Sequence, residues 1–270
     1  MSLSPALDGT LLPGAEALPL AAALEHYEAH GWARLGPVVG EAALAALRAR
    51  ADQIMLGEVV HRGLFFQHDA HNGRYGDLPR GIGWQGPSLH YRKIEKLERD
   101  PLFRAFLENP LFGRVARARI DDGVVLCRAV LFTKAAAGGT ELPWHQDGGS
   151  FWGLSRDPSL QIWTALDDAP LESGCVEVIP GSHKEGLATP LGGVIPDDVA
   201  ARHGAEGRAI PLPARAGECL LLHNHLWHRS GVNRTAATRR ALSVCLMSES
   251  IRCIRRKRAP RSFLPLFRDC

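Results

Sequence analysis

The sequence predicts a mainly β protein whose sheets are preceded by helices, and three observations carry that expectation. From Ile120 onward, short Val-, Leu-, Ile- and Cys-rich runs alternate with turns such as Gly138-Gly139, Glu172-Ser173-Gly174 and Ala216-Gly217-Glu218. That texture belongs to a sandwich or barrel. Ahead of Ile120 the apolar residues recur at helical spacing instead. Finally, 270 residues without an internal repeat, low-complexity tract or interdomain linker suit one domain over 1–270, because barrels of this size stay single.

Residues 1–17 contain Pro and Gly and are expected to be flexible. Leu18 to His30 reads as a helix with Leu20, Leu24 and Tyr27 on one stripe and Gly31 as its stop. Trp32 to Val39 reads as a short strand, and Glu41 to Met55 as a second amphipathic helix carrying Leu44, Leu47, Ala51 and Ile54. Residues 57–92 combine Gly, His and aromatic side chains with little periodicity, as a lid or binding loop does. Phe66, Arg80, Trp84 and His90 within it are candidate substrate contacts. Helices follow over Asp100 to Glu108 and Pro110 to Ala118. The expected strands are Val124 to Thr133, Leu160 to Leu166, Cys175 to Ile179, Cys219 to Leu222 and Arg240 to Met247. Between them, 186–207 is an insertion with one helix near Asp197 to His203, read as a second lid.

Composition narrows the function. The formal net charge is +3 and 23% of residues are charged, which argues against a dedicated nucleic-acid binder. The basic run Arg252, Arg255, Arg256, Lys257, Arg258 and Arg261 is either a solvated segment or a surface for an anionic substrate or partner. Six cysteines are scattered without CxxC spacing, several in apolar runs where Cys acts as a small hydrophobe. No stretch has the make-up of a secretory signal or a membrane span. A cytoplasmic, reduced protein is expected.

His145-Gln146-Asp147 is the chemically informative motif. Side chains two apart on a strand share a face, so His145 and Asp147 converge, and two histidines plus one carboxylate form the facial triad of non-haem Fe(II) oxygenases. An apolar strand downstream ends in His223, His225 and His228, which compete for the third position. His223 and His225 share a face by strand spacing, and spacing does not choose among the three. Arg239, eleven residues beyond His228, is either a surface residue or a buried fork for a dicarboxylic acid.

Four stretches carry a resemblance over roughly Leu20 to Met247: Leu24 to Trp32, Pro143 to Asp147, Gln161 to Asp168 running into Glu172 to His183, and His228-x-Ser230-x-x-Asn233-x-Thr235 with Arg239. Together they resemble the phytanoyl-CoA dioxygenase family of Fe(II)/2-oxoglutarate oxygenases, nearest to its domain-containing relatives. The resemblance implies a double-stranded β-helix core (jelly roll, cupin-like). It implies Fe(II) on His145, Asp147 and His228, and 2-oxoglutarate anchored by Arg239 and lined by Lys93, Gln146, Trp163, Ser230 and Val130. It further implies O2 as oxidant and hydroxylation of an unactivated C–H of a small molecule, with release of succinate and CO2. Asp147 favours hydroxylation over halogenation, while desaturation, cyclisation and epoxidation stay open. Neither end carries a peroxisomal address, so an acyl-CoA substrate is not expected. Arg80, His90, Arg92 and the tail arginines point to an anionic substrate, unless the surrounding aromatics merely pack beneath the loop. Competing readings are a hydrolase or cupin-like protein holding Zn(II) or Mn(II), which has no need of Arg239 or Lys93, and a metal-binding sensor or scaffold without turnover, against which intact Asp147 and Arg239 speak.

Overall fold

Pro19 and Gly31 bracket the first helix in the computed structural model, which describes residues 19–256 and 259–268. The expected flexibility of 1–17 lies outside the described residues. Helix α1 (Leu20–His30) ends where Gly31 takes φ +80° and returns its N–H to the Tyr27 carbonyl at 2.7 Å. Strand β1 (Trp32–Pro37) stops short of Val39, because Gly36 breaks its register and Val38 and Val39 turn their N–H groups to the Gly217 carbonyl. Helix α2 (Glu41–Met55) buries Leu44, Leu47, Ala51 and Ile54 as the periodicity requires.

Helix α3 (Pro101–Leu107) and helix α4 (Pro110–Arg119) start at Asp100 and Asn109, each followed by Pro at the first helical position. Asp100 is fully buried. Its Oδ1 accepts from the Leu102 and Phe103 N–H groups at 2.9 and 3.2 Å, and its Oδ2 from Arg50 and His61 at 2.7 and 2.8 Å. Asp100→Ala removes a cap and strands the partners of a buried carboxylate. Urea unfolding is expected to give a loss of about 2–3 kcal/mol; a loss under about 0.5 kcal/mol would contradict this role.

The remaining elements are strands β2 (Phe65–His68), β3 (Tyr91–Glu95), β4 (Val124–Lys134), β5 (Leu142–Gln146), β6 (Leu160–Ala165), β7 (Val176–Val178) and β8 (Gly193–Val194), helices α5 (Asp197–Arg202) and α6 (Ala205–Arg208), and strands β9 (Ile210–Leu212), β10 (Glu218–Leu222), β11 (His228–Ser230), β12 (Arg239–Ser248) and β13 (Leu264–Leu266). They form two antiparallel sheets. The larger runs β1-β10-β6-β12-β4-β3-β2, with β13 also on β4, and the smaller runs β8-β5-β11-β7-β9. This is the double-stranded β-helix.

Alternation along the central strands sorts the residues. Leu242 and Val244 of β12, Ala129 and Leu131 of β4 and Ile162 of β6 join the helix-side core with Tyr27, Leu44 and Leu47. Trp163, Ala165 and Ala241 pack against Val176, Val178 and Leu212 of the smaller sheet. Both faces of these strands are covered, which is why they read as unbroken apolar runs. The segment 57–92 is not wholly irregular: β2 is an edge strand, and β3 begins at its end. Likewise β8 lies within 186–207. Among the described residues no helix is long and apolar enough to cross a membrane.

Candidate metal centre and its cavity

Pairing of β5 with β11 sets His145 directly opposite His228, with ring centroids 3.9 Å apart. The Nδ1 atom of His145 faces the Pro143 carbonyl and that of His228 the Leu226 carbonyl, each at 2.9 Å. A carbonyl only accepts, so both Nδ1 atoms carry the proton and both Nε2 atoms are free as ligands. Asp147 completes the cluster, with one ligand atom from each residue lying within 4.8 Å of the others. Burial and the neighbouring His228 hold the His145 imidazole down to about 3, leaving it in the neutral, metal-binding form at neutral pH.

Asp147 is fixed from several directions. Its N–H donates to the Asn224 carbonyl at 2.8 Å, and Asn224 Nδ2 donates back to the Asp147 carbonyl at 2.9 Å. Gln161 Nε2 and Arg128 Nη2 each reach Oδ2 at 2.9 Å. Burial opposes its negative charge, but Arg128 above all, with His228 and His145, holds the carboxyl well below the usual range. Gly149 follows at φ +86°, where an added Cβ would lie 2.6 Å from the backbone of Leu191 and Gly192, so the chain crosses 186–207 closely only without a side chain.

His223 and His225 occupy a turn after β10, not a shared strand face. His225 donates to Asp157 Oδ2 at 2.9 Å, the same oxygen that accepts the Gly149 N–H. His223 Nδ1 accepts the His225 N–H at 3.0 Å. His228 alone of the three joins His145 and Asp147.

The cluster opens into a cavity of about 210 Å³. Arg239, Lys134, Lys93, Trp163 and Ser230 line it. Arg239 is 3% exposed, donates from Nη2 to the Gly174 carbonyl at 2.9 Å, and keeps a buried Nε without a partner. Burial lowers its guanidinium to about 10, which stays charged at neutral pH, yet among the described residues it makes no ion pair. Lys134, its direct neighbour across β12 and β4, donates to the Thr140 carbonyl at 2.5 Å, and burial and then Arg239 push its amine well down. Lys93 is already paired with Glu95.

Several expected contacts lie elsewhere. Gln146 alternates away from its neighbours, binds the Gly186 and His225 carbonyls at 2.8 and 2.7 Å, and accepts from Ala188 at 2.7 Å, so it pins 186–188 and does not line the cavity. Val130 is fully buried and also does not line it. Phe66 packs on the helix-side core, Trp84 covers Gly57, and Arg80 is exposed beside Tyr75. His90 lines a separate cavity with His68 and Asp69. From 57–92 it is Gln67, Tyr75 and Arg92 that reach the metal-side cavity, and from 186–207 Gly193 and Val194. In the tail, Arg255 and Arg261 donate to the carbonyls of Phe151 and Trp152, supporting the rim from outside; Lys257 and Arg258 lie outside the described residues. Arg128, Gln161 and Lys134 were not singled out in the sequence. Each interrupts an apolar strand singly, and the signal lies in the inward-facing phase they share across neighbouring strands.

The model of the phytanoyl-CoA dioxygenase (PhyH) family matches residues 27–241. The phytanoyl-CoA dioxygenase domain-containing protein 1 of Mus musculus is 30% identical over 158 residues, covering 55% of this chain and 53% of the mouse protein. The chain thus spans about half the length of the first such relatives. Among solved structures, EctD from S. alaskensis with 2-oxoglutarate and 5-hydroxyectoine is similar at TM-score 0.70 and 18% identity, over 96% of this chain and 87% of EctD. The epimerase SnoN in complex with Fe3+, alpha ketoglutarate and nogalamycin RO is similar at TM-score 0.67 and 19% identity, over 93% of this chain and 96% of SnoN. At those identities the likeness to EctD and SnoN is one of fold. The family match over 27–241 falls on the strands that bring His145, Asp147 and His228 together at a cationic cavity: the chain belongs to the phytanoyl-CoA dioxygenase family.

Proposed function

We propose that this chain hydroxylates an unactivated C–H of a small, anionic molecule, using Fe(II), 2-oxoglutarate and O2. The observation that carries the reading is Arg239, a buried cation that has no carboxylate partner among the described residues, with an orphaned Nε, lining the same cavity as His145, Asp147 and His228. A buried unpaired charge is costly in a resting fold and supports a missing anion of matching shape. The donor set fits the metal too, since two neutral imidazoles and one carboxylate on one side leave positions open.

In this reading His145, Asp147 and His228 hold the metal, and Arg239, Ser230 and Trp163 hold the cosubstrate's distal carboxylate end. When bound, Fe(II) and 2-oxoglutarate supply the oxidising chemistry, with O2 consumed and succinate and CO2 released. The chain's own residues orient and shield. Arg128 and Gln161 fix the Asp147 carboxylate, and the carbonyls of Pro143 and Leu226 fix the two imidazole tautomers. Gln67 and Tyr75 from one loop, and Gly193 and Val194 from the other, narrow the cavity, which supports 57–92 and 186–207 as lids that exclude water. The free thiols Cys127, Cys175, Cys219, Cys245 and Cys253 support a reducing, cytoplasmic setting. A second outcome at the same centre is desaturation, cyclisation or epoxidation, which product analysis separates from hydroxylation.

Anaerobic addition of Fe(II) and then 2-oxoglutarate is expected to produce a weak visible charge-transfer band. A folded protein that binds Zn(II) or Mn(II) but never 2-oxoglutarate is instead a cupin-like metal protein or sensor, and the oxygenase reading fails.

A further inference from the structure

Arg128 is a cation that the cosubstrate does not account for. Its guanidinium has five N–H donors, and among the described residues its only protein acceptor is Asp147 Oδ2 at 2.9 Å. Its Nε is buried without a partner, and its carbon lies 4.3 Å from the centroid of the Trp152 ring. The side chain is 21% exposed, and it lines the metal-side cavity.

Register separates this cation from Arg239. On β4 and β12, Arg128 pairs with Cys245, whereas Arg239 pairs with Lys134. Arg128 and Lys134 are six positions apart on β4, about 20 Å of strand. Gln161, the other side chain on Asp147, pairs with the same Cys245. Arg239 therefore marks the far end of the cavity and Arg128 the end nearer the metal ligands, where Phe151, Trp152 and Val194 also line the wall. Phe151 is 69% exposed and Val194 40%, an apolar rim that none of the described residues covers.

Charge sharpens the case. A ferrous ion, the Asp147 carboxylate and a dianionic cosubstrate leave one negative charge, which Arg239 neutralises. Lys93 is paired with Glu95. Lys134 donates to the Thr140 carbonyl, and burial and then Arg239 push its amine down. Arg128 remains, together with Arg92, which donates to Gln67 Oε1 at 2.7 Å and lies over the Tyr75 ring. Positive charge inside a cavity with low-dielectric walls attracts anions.

Resting on the oxygenase reading above, we propose that the prime substrate is a carboxylic acid with an apolar body, its carboxylate held by Arg128 and its body by Phe151, Trp152 and Val194. A planar carboxylate suits the fork of a stacked guanidinium. Arg128 is then the specificity-determining residue, and Arg92 adds to the field from the side of β3.

The test uses full-length protein saturated with Mn(II) and 2-oxoglutarate, without turnover. Calorimetry measures binding of hexanoate, benzoate and 3-phenylpropanoate, each beside its primary amide. Wild type is expected to prefer the acids by about 10- to 100-fold, the usual strength of one charged hydrogen-bonding partner. Arg128→Gln is expected to reduce the preference to within about threefold, while Phe151→Ala weakens acid and amide alike and leaves the ratio unchanged. Arg128→Lys, which keeps the charge and loses the fork, should fall between. Equal binding of acids and amides to wild type, or an undiminished preference in Arg128→Gln, overturns the proposal while the oxygenase reading stands. Wild type that binds Mn(II) but no 2-oxoglutarate overturns both.

Discussion

Arg239→Met is expected to abolish 2-oxoglutarate binding while leaving metal binding nearly intact. The guanidinium is 3% exposed and has no ion pair among the described residues, so a bound dicarboxylate would gain its full charge-assisted interaction. Truncating one member of a buried charged pair costs about 2–5 kcal/mol, so affinity should fall by about a hundredfold or more. Calorimetry on Mn(II)-loaded protein measures this directly. Stability should move the other way or not at all, because methionine replaces an unpaired buried cation with an apolar chain of similar length. Equal losses of metal and cosubstrate affinity, or a marked drop in melting temperature, would mean that Arg239 supports the fold and not the ligand.

His228→Ala is expected to remove about 3–4 kcal/mol of metal affinity, the share of one ligand in a tightly held site. His223→Ala should retain nearly all of it. His225→Ala should lose less than about a hundredfold, because its link to the centre runs through Asp157 and the Gly149 N–H, and outer partners of that kind contribute about 10- to 100-fold. Metal titration of the three variants gives the order. If His225→Ala proves the variant that cannot be loaded, the geometry around β11 has been misassigned.

Much of this was legible in the chain. The runs that became β4, β6 and β12 are apolar throughout because helices cover one face and the smaller sheet the other. The strands that escaped reading lack a long apolar run: β8 is Gly193-Val194, β11 is His228-Arg229-Ser230, β2 sits at an edge with Phe65 exposed, β3 mixes charged and apolar residues, and β9 and β13 each carry a central proline. The His145/Asp147 pair followed from the two-residue period. The same period excludes Gln146, whose amide points into 186–188, and family likeness had included it. The choice of His228 over His223 and His225 came from likeness alone, since spacing cannot register a turn that swings two of three histidines aside. Arg128, Lys134 and Gln161 were hidden because they interrupt apolar strands singly. Only a comparison of phase between strands, with charged residues all on the inward step, would have brought them forward.

His145 and His228 ride on the smaller sheet, with Asp147 just past the end of β5, and Arg239 rides on the larger one. Facing sheets stand about 10 Å apart, a separation fixed by Trp163, Ala241 and Val176 packed between them. In the proposed reading, a keto acid held at both points is measured twice, across the gap between the layers and along β12 from the level of Cys245 to Arg239. Bulkier or smaller side chains in that filling would reset the first measure and leave the second untouched.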